Sequence, residues 1–489
     1  MRVLSALKPA QACPHHTLYR MRRLAASPPD LRKGFAFPPD ARREQTPPRT
    51  LEGSAFHRAR WRSGGALPGG KPEAFRISGR QSRCEPAIWT ALVRVTFLTG
   101  LIGLGTQQAM SGQAPRLEPA RPSILAGDLL YISGQDAQDA QGRVPREPAA
   151  QIRQCLSKVK TIVEAAGLSL EHVVYVQVYL TDYTDEGPLN QVWKEFFPKS
   201  PPARSTIGVA ALRGTPVEMT AVAVKDLSRK KPLVPPGYPS SSPLSPGVLV
   251  GNRLFLSGHL GRNINTGEIP QDPEAQVQLS INRMRGTLNL AGADLGNVVF
   301  MIPYLTDRVS EAILNRVCVK NFSGANPPAW TPIHVIGLPS GANVEFTGVA
   351  ILDLAKRRVV RPKYFGPNPT WSPCVLAEDT LYCSATMGVS PGMKDGLKGP
   401  PFGSQARQTM RNLRGFLAQV HMSLADVVST HVYLDDIRDA ERFDRVYAPY
   451  FKGKPPVRTL LQPARPANRV PDAKGRWPAL EEISIIAVK

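Results

Sequence analysis

From about residue 118 onward, apolar and polar positions recur in one fixed order. A short apolar stretch and a polar turn lead into LLYISG (129–134), LFLSG (254–258) or LYCSA (381–385). Farther along stand VVYVQVYLTD (173–182), VVFMIPYLTD (298–307) and VVSTHVYLDD (427–436). PPARST (201–206), PPAWTP (327–332) and PPVRTL (455–460) follow, and each round closes on VEMTAVAV (217–224), VEFTGVAI (344–351) or EEISIIAV (481–488). Ser133, Ser257 and Ser384 lie 124 and 127 residues apart, and Arg204, Trp330 and Arg458 lie 126 and 128 apart. Four landmarks in the same order at one period mark three tandem copies. The period exceeds that of solenoid repeats, so each copy is a whole domain.

The elements of one copy are readable in the first. Ile152, Leu156, Val159, Ile162/Val163 and Ala166 recur at helical spacing, and Gly167 is a natural stop. Val174, Val176, Val178 and Leu180 alternate as a strand with one buried face. A second helix is predicted over roughly Gly187–Phe197, then a strand after PPARST and a last strand at Val217–Val224. The unit is an α+β fold with a mixed β-sheet and two helices. It occurs three times, over 116–230, 238–356 and 362–489, with Pro-rich linkers at 232–246 and 361–373.

The segment ahead of the copies reads differently. Residues 1–87 are rich in Arg, Pro, Ala and Gly without sustained periodicity, a composition that predicts disorder. In 88–115, Arg94 precedes the apolar stretch Val95–Leu104, with Ala109 and Ala114 as candidate cleavage positions. This predicts a signal peptide read from an internal start near Val93 or Val95, and export to the periplasm. The alternative is a stray apolar patch in a cytoplasmic protein. No apolar run reaches the length of a spanning helix, so no integral membrane span is expected. The net charge of +22 tempts toward nucleic acid, but +12 of it lies in residues 1–110. No specific nucleic-acid partner is therefore expected from the copies. The six cysteines form no CxxC pair and no Cys/His ligand spacing, so no metal site is expected. Cys374 and Cys383 flank a turn at Ala377–Thr380, where buried free thiols are expected rather than a disulfide.

The set SGQ, a long helix ending AAG, VxVYLTD, an Asn-bearing helix, PxRS and VE(I/M)xxxA resembles the Rid/YjgF family, the reactive intermediate deaminases, once called L-PSP endoribonucleases. The resemblance runs through all three copies. It implies a chorismate-mutase-like fold and, in place of the usual homotrimer, an intramolecular pseudo-trimer with a central barrel and clefts between copies. It also implies hydrolysis of enamines and 2-imino acids to 2-keto acids and ammonia without metal or cofactor. The partner would be a small carboxylate-bearing imine or keto acid. A planar arginine fork suits that carboxylate, and a second group must hold water and move protons.

Carried over copy by copy, the pattern gives the first Ser133–Gly134, Asn190, Arg204 and Glu218, with Thr206 where many members have cysteine. Ala120 stands where the family places an upstream aromatic. The second copy keeps Ser257–Gly258, Asn315 and Glu345, but Trp330 replaces the arginine and Leu244 the aromatic, so this position should not bind the usual ligand. Trp330 is expected to pack in a closed, silent cleft. The third has Ser384, Arg458, Glu482 and Trp371, with Asp444 for asparagine, Ala385 for glycine and an insertion at 464–478. Arg204, Glu218, Arg458 and Glu482 are the expected catalytic residues; Ser133, Gly134, Asn190, Thr206, Trp371 and Ser384 are the expected substrate-binding ones. Glu218 and Glu482 could also serve only as salt-bridge partners of the arginines, and His259 is expected to be structural. A protein that binds a carboxylate without turning it over is the alternative, and an RNA-acting protein ranks behind both.

Overall fold

A computed structural model describes residues 121–489 other than 184–185, 240–241, 323, 325, 391–401, 452 and 474. The expected disordered stretch 1–87 and signal-like stretch 88–115 lie outside the described residues.

Each copy opens on a hairpin: Ser123–Ala126 with Leu129–Asp136, Gly247–Val250 with Arg253–Leu260, and Cys374–Ala377 with Thr380–Thr386. The first turn residue takes positive φ in all three, which suits Gly127 and Gly251 and is held by Glu378 in the third. A helix follows, Pro148–Ala165, Pro273–Asn289 or Phe402–Ala418. In the first, Ile152, Cys155, Leu156, Val159 and Val163 are buried on the predicted stripe, and Gly167 closes it with φ 75°. Next come the long strands Val173–Leu180, Val298–Leu305 and Val427–Leu434, and the second helices Gly187–Phe196, Glu311–Phe322 and Ala440–Tyr447. The closing strands Val217–Val224, Val344–Ile351 and Glu481–Val488 lie antiparallel between the long strand and the hairpin. The strand carrying the Pro-Pro motif, Ala203–Gly208 or Val457–Leu461, runs parallel at the edge. In the second copy it is broken into Ala329–Trp330 and Ile333–His334, because Pro332 has no N–H for the ladder.

The long strand is buried on both faces rather than one. Val176, Val178 and Leu180 face the copy's own helices, while Tyr179 joins a core shared with the other two sheets. That shared core takes Tyr131, Tyr304, Phe300, Tyr382 and Tyr433 from the three copies. The copies therefore form an intramolecular pseudo-trimer around a common centre. Among the described residues the β-bridge pairing between sheets consists of isolated bridges, Gly208 with Gly337, Ala211 with Gln462 and Ala329 with Ser372.

The connections add to the packing. Lys230–Leu233 pairs with Gly247–Val250, and Arg357–Val360 with Cys374–Ala377, so each begins as an edge strand on the next copy's sheet. Cys374 and Cys383 are directly opposed across the hairpin and form a disulfide, contrary to the expectation of free thiols. Cross-strand neighbours with inward side chains bring the two sulfurs within bonding reach. Among the described residues Cys155 and Cys318 are the buried thiols. Among the described residues no helix is long and apolar enough to cross a membrane.

Candidate functional site

The edge strand of each copy lies against the second hairpin strand of the next: Ala203–Gly208 on Arg253–Leu260, Ala329–Trp330 on Thr380–Thr386, and Val457–Leu461 on Leu129–Asp136. The order runs in a ring. Every cleft takes its arginine position from one copy and its Ser-Gly pair and glutamate from the following one. The set Ser133–Gly134, Asn190, Arg204 and Glu218 expected together in the first copy is thus divided between two clefts.

In the 1–2 cleft, the Arg204 backbone N–H donates to Ser257 Oγ (2.8 Å) and Arg204 Nη2 donates to Asn190 Oδ1 (2.8 Å). The guanidinium stacks 4.8 Å from the Trp193 ring, and the residue is 4% exposed. Nε and Nη1 have no hydrogen-bond partner among the described residues. Burial lowers the Arg204 pKa to about 10, with Glu186 and Glu345 pulling the other way. The carboxylate here is Glu345, which accepts from Ser205 Oγ (2.6 Å) and from the Thr206 backbone N–H. Burial raises Glu345 to about 8. A Cβ on Gly258 would collide with Glu345 Oε1, which is why the serine is followed by glycine. Thr206 itself is buried, with no hydrogen-bond partner for its hydroxyl among the described residues.

The 3–1 cleft repeats the plan with different side chains, and one of the changes alters its charge. Arg458 stacks 5.1 Å from Tyr447, and Thr459 Oγ1 donates to Glu218 Oε1, which sits against Gly134 as Glu345 does against Gly258. Glu218 is raised to about 7 by burial. Where Asn190 stands in the first cleft, Asp444 takes a 2.7 Å ion pair from Arg458 Nη1 and a 3.0 Å one from Arg213 Nη1. Glu218 thus belongs with Arg458, not Arg204. Ser133 Oγ donates to the Pro122 carbonyl (3.3 Å).

The 2–3 cleft has no arginine. The Trp330 backbone N–H donates to Ser384 Oγ (2.9 Å), preserving the strand contact, but Thr331 Oγ1 accepts the Ala385 N–H and leaves Glu482 without its hydroxyl donor. Glu482 and Trp371 line this cleft together with Trp330. Glu482 is therefore no salt-bridge partner of Arg458. The cleft is not closed either: a cavity of about 370 Å³ opens beside Trp330. His259 is buried with Nε2 against Thr287 Oγ1 (2.9 Å), the expected structural role.

Sequence reading named most of the parts and left Glu345, Ser205, Trp193 and Arg213 out of the expected site. Three copy-specific motif lists cannot say which copy completes which, because ring order is a property of the docking.

A family model described as Endoribonuclease L-PSP matches residues 112–225, 238–352 and 363–489. The RutC family protein PH0854 of Pyrococcus horikoshii is 38% identical over 117 residues, 23% of this chain and 93% of its own length. The structure of the YjgF gene product from E. coli is 36% identical, covering 22% of this chain and 89% of its own, at a TM-score of 0.22. E. coli TdcF, solved with bound serine, is 34% identical, covering 22% and 91%, at a TM-score of 0.22.

Proposed function

We propose, from the premise that this chain belongs to the endoribonuclease L-PSP (Rid/YjgF) family in three tandem copies, that it hydrolyses small 2-imino acids to 2-keto acids and ammonia, and does so in the 1–2 cleft. The observation that carries the reading is Arg204, a buried guanidinium with Nε and Nη1 unpaired. A charged donor in that state is costly unless an anion completes it, and a hydrogen bond to a charged group contributes about 1.5–3 kcal/mol. A small carboxylate is the matching ligand, and the serine bound to TdcF is of that size and class.

Glu345 supplies the proton chemistry. With its pKa near 8 it is largely protonated at neutral pH and close to the value at which one group works well as both acid and base. As water adds through its oxygen to C2, Glu345 gives a proton to the imine nitrogen and takes one from the water, leaving a carbinolamine. It then protonates the amine, which departs as ammonia, and receives the hydroxyl proton as the C=O bond forms. The sum is imino acid plus water to keto acid plus ammonia. Ser205 and the Thr206 N–H fix the carboxyl, and Asn190 with Trp193 fixes the guanidinium.

The family description points instead to RNA. Arg204 and Glu345 are both buried, out of reach of a polymer backbone, and over half the net charge lies in residues 1–110. A binding protein without turnover is not favoured by the 3–1 cleft, where Asp444 already occupies Arg458 and leaves that guanidinium committed. The test is decay of 2-iminopropanoate generated in place by a serine dehydratase. Faster release of pyruvate and ammonia with the full chain, lost in Arg204→Ala, is expected. Decay at the uncatalysed rate would refute the reading.

A further inference from the structure

The cleft that lost its arginine is a built cavity with a different chemistry. Its volume of about 370 Å³ falls in the range of small-molecule sites. Trp330, Trp371, Phe365 and Phe416 line it. Phe365 holds the wall together, edge-on to both Trp371 (6.1 Å) and Phe416 (5.6 Å). Two carboxylates, Glu311 and Glu482, face the same space, and no lysine or arginine lines it among the described residues. In the other clefts the equivalent carboxylate is held by the hydroxyl after the arginine position. Here that hydroxyl is spent on Ala385, and Glu482 has no hydrogen-bond partner among the described residues. Asn315, at the position that grips Arg204 in the first copy, lines the cavity with no guanidinium to hold.

Aromatic faces beside Glu482, with Glu311 held only at 3.9 Å by the His334 ring outside the cavity and no lysine or arginine in the lining among the described residues, select a positive ligand with a flat apolar body. The rings attract the cation through their quadrupoles and the carboxylates through charge. We infer that the 2–3 cleft binds a small organic cation, a primary amine carried on an aromatic body, where the 1–2 cleft takes a carboxylate. On the far side of Glu482 a second cavity of about 270 Å³ brings in His334, Asp435, Arg465 and Glu481. His334 lies 3.9 Å from Glu311, and Arg465 is exposed and forms no ion pair with either carboxylate among the described residues. Neither fills the aromatic cavity.

The test is calorimetric titration of the full chain with tryptamine, indole and indole-3-propionate, which share a ring and differ in charge. Tryptamine should bind about tenfold tighter than indole. Glu482→Gln should cancel that advantage while leaving indole within about twofold, and Glu311→Gln should reduce it by a smaller factor. Trp330→Arg should abolish tryptamine binding. Arg204→Ala should leave it unchanged, so this inference and the deaminase reading fail separately. The inference is overturned if tryptamine binds no tighter than indole, or if Glu482→Gln and Trp330→Arg both leave its affinity intact. It is equally overturned if these two substitutions weaken indole-3-propionate as much as tryptamine.

Discussion

The 1–2 and 3–1 clefts share an arginine stacked on an aromatic ring, a glutamate raised by burial, a hydroxyl holding that glutamate and a glycine making room for it. They differ at the helix position facing the guanidinium. Asn190 accepts one hydrogen bond and leaves the positive charge unspent; Asp444 ion-pairs directly with Arg458 and is shared with Arg213. The contrast teaches that motif completeness does not measure site competence. An arginine can be present, oriented and half-buried, and still be committed to its neighbour.

The sharpest way to break the comparison is Glu345→Gln. If Glu345 moves the protons, the substitution should cost about 10²–10⁴ in the rate of 2-iminopropanoate hydrolysis, while pyruvate still binds. The same change at Glu218 should leave the rate within about twofold, a difference read in one stopped-flow series. Next comes the reciprocal exchange. Asn190→Asp should pair Arg204 and weaken pyruvate by about tenfold or more, since each charged hydrogen bond lost is worth about 1.5–3 kcal/mol. Asp444→Asn should free Arg458 and create a second, weaker pyruvate site, visible as a change in calorimetric stoichiometry.

Gly258→Ala should act through Glu345. The added Cβ meets its Oε1, so the carboxyl must shift and the rate should fall about tenfold. Ala385→Gly, which gives the 2–3 cleft the family's glycine, should leave the same rate unchanged because no arginine stands there.

The smallest effect is on stability. Burial raises Glu345 to about 8 and Glu218 to about 7 from 4.5, so the folded protein keeps protons that the unfolded chain has released. Their contribution is complete below pH 4.5 and is lost as pH rises through 7 and 8. The buried His259 and His431 act in the opposite sense, but only below about pH 6.5. Between pH 6.5 and 8, unfolding free energy should therefore fall by up to about 1.4 kcal/mol per pH unit for each carboxyl. Glu345→Gln should flatten that slope in urea titrations.

Much of this was legible in the chain. The helix over Ile152–Val163, the strand at Val173–Leu180 and the three-copy order follow from periodicity and from landmarks 124–128 residues apart. The double burial of the long strand was not, because Tyr175, Gln177 and Tyr179 read as a polar face until three such faces meet at one centre. The Cys374–Cys383 bond was also missed, since hairpin register, not spacing, makes the two residues opposite. Arg204 and Arg458 were identified by their motif, but their partners were assigned within the copy. The ring order that hands Glu345 to Arg204, Glu218 to Arg458 and Glu482 to Trp330 comes from the way sheets dock. The volume beside Trp330 was likewise invisible, because a large aromatic in a motif reads as filling rather than as one wall of a cavity.

Arg204 is placed to receive a carboxylate and Arg458 is held by Asp444. The most direct measurement is the pyruvate affinity of Arg204→Ala and Arg458→Ala, side by side, by calorimetry on the full chain. Arg204→Ala should lose binding and Arg458→Ala should keep it within about twofold. Loss in Arg458→Ala with binding retained in Arg204→Ala would contradict this assignment of the two arginines.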